Sequence, residues 1–286
     1  MNNADFTYRE IPKLNKRVHR LGLAFDNGIE AEGIQAALDR GVNYLFWVNR
    51  NKGAAREVVK AALERDRERY VFAGGATLGF SAGSLRRAAE RLLRSFELEY
   101  IDVFQLYWLG KMSALTKSVE QELVRLREEG LVRAIGVSIH DRKRAAKLAV
   151  ESPLDLLMVR YNAAHPGAET DIFPSYATRR PITVAYTATS WRKLLTAPEG
   201  WEGKVMSPGD CYRFCLSSPF VDVVLSAADN RKQIDENLDA LEKGPLSSEE
   251  DEWIRHFGEF VHGIRGLRGV RWRLQIERKR MRPRRD

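Results

Sequence analysis

The amino-acid sequence predicts an α/β fold: a (β/α)8 TIM barrel with an N-terminal hairpin, an extra C-terminal helix and a basic tail. Three observations carry this expectation. The chain has 286 residues, 44% of them hydrophobic, which suits one barrel-sized domain. Short β-branched or aromatic runs alternate with amphipathic helical stretches along the chain. The short runs are nearly continuous in apolar residues, as strands of a parallel sheet covered on both faces must be.

The elements follow in order. The first twelve or so residues are expected to form a small hairpin with the segment after them. RVHRLGLAF (17–25) reads as one strand and EAEGIQAALDR (30–40) as a helix. VNYLFWV (42–48) is a strand, and GAAREVVKAALERDR (53–67) is a helix with Val58, Val59, Ala62 and Leu63 on one side. RYVFAGG (69–75) precedes SLRRAAERLLRSF (84–96), where Leu85, Ala88, Leu92 and Phe96 recur at helical spacing. IDVFQLYW (101–108) precedes SVEQELVRLREEG (118–130), with Gly130 as a C-terminal stop. VRAIGVS (132–138) leads into DRKRAAKLAVE, and LDLLMVRYN (154–162) into a segment from Ala168 to Arg180. ITVAYT (182–187) and VDVVLS (221–226) are the last two strands, and NRKQIDENLDALE closes the eighth unit with Ile234, Leu238 and Leu241 as its apolar stripe. LSSEEDEWIRHFGEFVHG (246–263) adds a helix outside the repeat, with Ser247 and Glu250 spaced as a capping box. A doubly wound nucleotide-binding sheet would need a phosphate-gripping glycine loop. The glycine-rich GGATLGFSAG (74–83) lacks both GxGxxG and a Lys-Ser/Thr ending.

Charge divides the chain into a barrel, residues 1–263, and a basic C-terminal tail, residues 264–286. The tail holds ten Lys/Arg against Glu277 and Asp286, and the rest of the chain is neutral. A neutral body argues against a nucleic-acid-binding domain. The tail itself, with Val270, Trp272, Leu274 and Ile276 among its arginines, suits nucleic acid, anionic lipid, or a solvated or partner-bound terminus. The sequence has no apolar run long enough to span a membrane and no secretory signal in MNNADFTYREIPK. Cys211 and Cys215 lie four apart, suiting one helix face rather than a disulfide framework, so a cytoplasmic location is expected. No His or Cys cluster has metal-site spacing.

RLGLAF, GVNYLFW, YIDVFQLYW, REEGLVRAIGVS, LLMVRYN, VAYT and QIDENL, in this order from about residue 15 to 243, resemble the aldo-keto reductases. The resemblance implies a (β/α)8 barrel with NADPH or NADH across its C-terminal mouth, hydride transfer to a carbonyl carbon, and a Tyr that protonates the oxygen. It also implies a Lys and an Asp that tune the Tyr, and a His that orients the substrate.

Laid on that pattern, the catalytic set is missing. Phe46 falls at the Asp, Asn51 at the Tyr, Gly75 or Ala76 at the Lys, and Tyr107 at the His. The changes are mutually consistent, because a buried Asp left without its Lys would be an unpaired charge. Ser138 matches the Ser that contacts the cofactor carboxamide, while its neighbours in that role are Ile139 and Met158. Tyr186 matches the aromatic that stacks on the nicotinamide, and Glu236 and Asn237 match the pair at the adenine end. Asp229 sits where many members carry a base for the 2′-phosphate. Either Arg231 and Lys232 compensate or NADH is preferred.

Other residues can do chemistry at the mouth. Tyr107 shares inward parity with Val103 and Gln105, and reads either as a relocated general acid or as a space-filling aromatic. His140 and His165 follow strands in loops of the same face, as acid–base groups or as plain surface histidines. Arg160 has the parity of Met158 and suits an anionic substrate group or a buried acid. The expected function is a nicotinamide-dependent oxidoreductase with an altered site and an unknown carbonyl or alcohol substrate. The alternative is a noncatalytic sensor or scaffold of the same fold.

Overall fold

Eight parallel strands close into a barrel in the computed structural model, which describes residues 6–25, 29–48 and 53–263. Asn51, matched above to the family's Tyr, lies outside the described residues. The chain opens with a two-stranded antiparallel hairpin, β1 (Tyr8–Ile11) and β2 (Lys16–His19). The barrel follows as β3 (Leu21–Ala24), β4 (Tyr44–Phe46), β5 (Val71–Ala76), β6 (Ile101–Leu109), β7 (Val132–Ile139), β8 (Leu156–Arg160), β9 (Ile182–Tyr186) and β10 (Val223–Ser226). Strands β3 to β10 pair in chain order, and β10 returns to β3. The long helices around it are α1 (Ala31–Asp39), α2 (Ala54–Arg65), α3 (Ala82–Phe96), α4 (Lys117–Glu128) and α5 (Arg142–Glu151). The short α6 (Ala168–Asp171), then α7 (Pro208–Ser217), α8 (Arg231–Glu242) and α9 (248–263) complete the set.

Two departures from expectation have identifiable causes. RVHRLGLAF is not one strand, because Arg20 breaks it. Its buried guanidinium donates to the carbonyls of Phe6, Leu216, Val221 and Asp222 at 2.7–3.3 Å, tying the hairpin to the barrel's N-terminal end. Ala168 to Arg180 is a one-turn helix and a short 3-10 segment, Phe173–Ala177. Pro174 sits at that junction and has no N–H to continue an α-helix.

Alternation along each strand sorts the core into two layers. Inside the barrel, Tyr44, Phe46, Ala73, Val103, Tyr107 and Met158 join one cluster with Leu14 and Val18 of the hairpin. Leu45, Trp47, Phe72, Ala76, Phe104 and Ile139 pack outward under the helices. The hairpin thus plugs the N-terminal end, and the C-terminal end is left open. Gly130 ends its helix with φ 77°, and Ser247 and Glu250 cap α9 reciprocally at 2.8 and 3.1 Å, both as expected.

Candidate functional site

A cleft of about 650 Å3 opens at the C-terminal mouth. Phe46, Tyr107, Ser138 and Tyr186 all line it. It then runs outward past Asp229 to the first turns of α8, where Gln233, Glu236 and Asn237 form its far wall. The cleft is therefore elongated, with an aromatic inner end and a polar outer end. Among the described residues no group of His, Cys, Asp or Glu could hold a metal ion.

The inner end is closed by aromatic packing. Phe46 ends β4 and meets the Tyr107 ring edge-on, with centroids 5.5 Å apart. The Tyr107 hydroxyl donates to the Trp47 carbonyl at 3.1 Å, and the ring is 3% exposed. Gly75, not Ala76, is the inward position of β5, since Ala76 belongs to the outer layer. A Cβ at Gly75 would lie 2.2 Å from the Gln105 carbonyl oxygen and 2.8 Å from the Tyr107 ring. Tyr107 thus fills the space into which a longer side chain at residue 75 would have to extend.

The remaining inner wall is polar at a few points. Ser138 is the penultimate residue of β7, and its Oγ accepts from the Trp108 backbone N–H at 2.7 Å, leaving its own proton to direct toward the cleft. Trp108 holds φ 50°, a left-handed conformation that swings its indole to the cleft rim. The Tyr186 hydroxyl lies 3.0 Å from the His140 ring nitrogens. Burial, then the charges of Arg160 and Lys111, push the His140 pKa below its ordinary value, so the ring is neutral at physiological pH. Burial raises the Tyr186 pKa, so its hydroxyl keeps its proton. Arg160 is half-buried beside Tyr186 in the β8–β9 register, and its charge acts on both groups.

The outer end is organised by Ser226 at the tip of β10. Its Oγ is shared by the Tyr212 hydroxyl at 3.1 Å and the Asn237 amide at 3.2 Å. Asn230 caps α8 by accepting from Gln233 N–H at 3.0 Å, and the Gln233 side chain accepts from the Asp229 N–H at 3.0 Å. These bonds fix the Asp229 turn against the N-terminus of α8.

Two sequence-expected residues stand elsewhere. His165 does not line the cleft. It is buried, its Nδ1 3.2 Å from Asn162 Oδ1, and its ring packs edge-on against His262 of α9. Arg231 does not line the cleft and pairs with Glu32 at 2.8 Å and Asp235 at 3.6 Å. Glu236 and Asn237 do line it, and Lys232 is paired with Glu236 at 3.8 Å. Trp108, Trp191, Arg192, Tyr212 and Gln233 also line the cleft, and sequence reasoning passed them over. Trp191 and Arg192 carried a weak signal as a large aromatic and a cation just past the β9 strand.

Comparisons with known proteins agree with this architecture. The model of the Aldo/keto reductase family matches residues 12–191. The aldo-keto reductase YhdN of Bacillus subtilis (strain 168) is 26% identical over 183 residues, 60% of this chain; the chain covers 55% of that relative's length. The holo form of aldo-keto reductase AKR11C1 from Bacillus halodurans superposes with a TM-score of 0.73 at 21% identity, covering 88% of this chain and 96% of that one. An aldo/keto reductase from Klebsiella pneumoniae, solved with NADP and acetate, gives 0.67 at 22% identity, covering 86% and 93%. Barrel, hairpin, the ordered strand-end motifs and a family match over more than half of the sequence lead to one assignment: the chain belongs to the aldo/keto reductase family.

Proposed function

We propose that the protein is a nicotinamide-dependent oxidoreductase with an altered catalytic set, acting on a carbonyl or alcohol at the barrel mouth. The observation that supports this best is the single elongated cleft joining Ser138 and Tyr186 to Asp229, Glu236 and Asn237. It offers a ring face and a hydroxyl at one end and hydrogen-bonding side chains beside a helix N-terminus at the other. That donor set fits a dinucleotide, and a structural neighbour from Klebsiella pneumoniae was solved with NADPH. Tyr186 would hold the nicotinamide ring, Ser138 its carboxamide, and Glu236 and Asn237 the adenine end. The bound cofactor supplies hydride.

The chain's own task is then to exclude water and to provide a proton at the carbonyl oxygen. Tyr107 and His140 are the groups in reach of the inner cleft. Tyr107 is the first to test, because its hydroxyl stands at the floor and must leave the Trp47 carbonyl to act. A panel of aldehydes and ketones should turn over slowly with NADH or NADPH, since no Lys stands at residue 75 to tune a Tyr. Tyr107→Phe keeps the ring and should lower turnover at least about ten-fold, with cofactor affinity near the parent's. Parent-like turnover in that variant would make Tyr107 packing and leave His140 as the donor.

The second reading is a noncatalytic sensor or scaffold binding a cofactor or small molecule. The engaged Tyr107 hydroxyl and the crowding at Gly75 favour it. Cofactor binding without turnover of any carbonyl or alcohol would select it.

A further inference from the structure

Gln105 is buried inside the barrel with its amide unused. It lies in the middle of β6, shares inward parity with Val103 and Tyr107, and is 0% exposed. Among the described residues, neither its Oε1 nor its Nε2 makes a hydrogen bond. A buried amide left unpaired at both ends costs the desolvation of two polar groups. Methionine or leucine would fill similar space without that cost. Such a group calls for a partner, either water or a ligand.

The position of Gln105 favours a ligand. Layers inside a parallel barrel take their side chains from alternate strands. Strand register places Gln105 in one layer with Phe46 of β4, Met158 of β8 and Leu225 of β10, and those three all line the cleft. Its register partners on the two adjoining strands are Gly75 and Gly136, so neither strand sets a side chain beside it at that point. Ser138, which lines the cleft, is the next inward residue after Gly136 on β7. Tyr107, the next inward residue toward the mouth on β6, stands between the amide and the cleft. Its ring lies over Gly75, 2.8 Å from where a Cβ would be, and its hydroxyl is bonded to the Trp47 carbonyl.

We propose that Gln105 is a floor contact for the carboxamide of the nicotinamide ring, reached when the Tyr107 ring turns aside. A primary carboxamide carries a donor and an acceptor side by side, as the glutamine amide does. Two antiparallel bonds then satisfy both: Gln105 Nε2 donates to the ligand's carbonyl oxygen, and Gln105 Oε1 accepts from its NH2. A ketone or a carboxylate would satisfy Nε2 and leave Oε1 unpaired. Turning the ring gives up the Tyr107–Trp47 bond and gains two bonds at a group that had none, so the exchange is favourable. The inference rests on the nicotinamide reading above and adds a residue that recognises the head group.

Fluorescence titrations with NADH and with reduced 3-acetylpyridine adenine dinucleotide test it. The analogue keeps the carbonyl oxygen and carries a methyl in place of the NH2. The parent is expected to bind NADH at least about ten-fold more tightly than the analogue. Gln105→Met, similar in length and apolar, should bind the two nucleotides alike. Its urea midpoint should stand at or above the parent's, because an unpaired buried amide has gone. Equal binding of the two nucleotides by the parent overturns the proposal and leaves the cofactor site in place. A Gln105→Met variant that keeps the parent's preference also overturns it, and a lowered urea midpoint there would assign the amide to a structural water. Binding of neither nucleotide to the folded parent overturns the proposal together with the nicotinamide reading. The comparison on the parent needs no substitution, so it decides the matter even if the variant does not fold.

Discussion

Substituting Gly75 by alanine measures how closed the barrel floor is. The new Cβ would stand 2.2 Å from the Gln105 carbonyl oxygen and 2.8 and 2.9 Å from two carbons of the Tyr107 ring. Unstrained carbon contacts begin at about 3.5 Å, so every neighbour must yield. The Tyr107 ring has Phe46 behind it, and the Gln105 carbonyl belongs to the β5–β6 pairing, where Gly75 and Gln105 stand opposite one another. Overpacking of this kind costs about 1–3 kcal/mol, and a weakened ladder bond adds about 1 kcal/mol. The expected loss is thus about 2–4 kcal/mol, read from urea unfolding followed by circular dichroism with the slope unchanged. In a Tyr107→Ala background the ring contact vanishes and the carbonyl contact stays, so the cost of the alanine should shrink without disappearing. Unfolding of Gly75→Ala within about 0.5 kcal/mol of the parent would mean the space beside Tyr107 is open, and a lysine at residue 75 would then be sterically admissible.

Three further outcomes are expected. Asp229→Arg should shift preference toward NADPH over NADH by about ten- to a hundred-fold, because Arg231 is held by Glu32 and Asp235 and leaves the 2′-phosphate facing a carboxylate; an unchanged ratio in competitive titrations would place the phosphate elsewhere. Burial holds the His19 pKa at about 4 against an ordinary 6.5, so the neutral ring's contribution is fully present above 6.5 and is lost as pH falls through 4. That loss approaches about 3 kcal/mol, and His19→Gln should remove it from the pH profile of urea midpoints. Arg20→Met should destabilise by at least about 3 kcal/mol, because four buried carbonyls lose their donor together; a near-neutral result would show that water replaces the guanidinium.

The strand–helix order was legible in the sequence because period and punctuation agree in nearly every unit. Apart from the break at Pro174, which is local, the failures came where a side chain acted over a distance that no local window contains. Arg20 breaks an apparently continuous strand by bonding carbonyls about two hundred residues away as well as Phe6 close by. His165 has the sequence position of a mouth residue, yet α9 lies over it, and the close approach of Gly258 to Ala163 is what seats that helix. Arg231 reads as a phosphate partner until Glu32, from the first helix of the barrel, is seen beside it. The choice between Gly75 and Ala76 needed only strand parity, which the barrel makes explicit. The rim pairing of Tyr186 with His140 had no sequence signal, since neither loop length nor spacing fixes how two strand ends approach.

The most direct measurement is a titration of the folded protein with NADH and NADPH, followed by intrinsic tryptophan fluorescence. Trp108 and Trp191 line the cleft and report on its occupancy. Saturable quenching is expected with micromolar to low-millimolar affinity, a span of about 4 kcal/mol, and with NADH the tighter ligand. Fluorescence unmoved by either nucleotide, in protein whose circular dichroism shows it folded, would contradict a nicotinamide site at the barrel mouth.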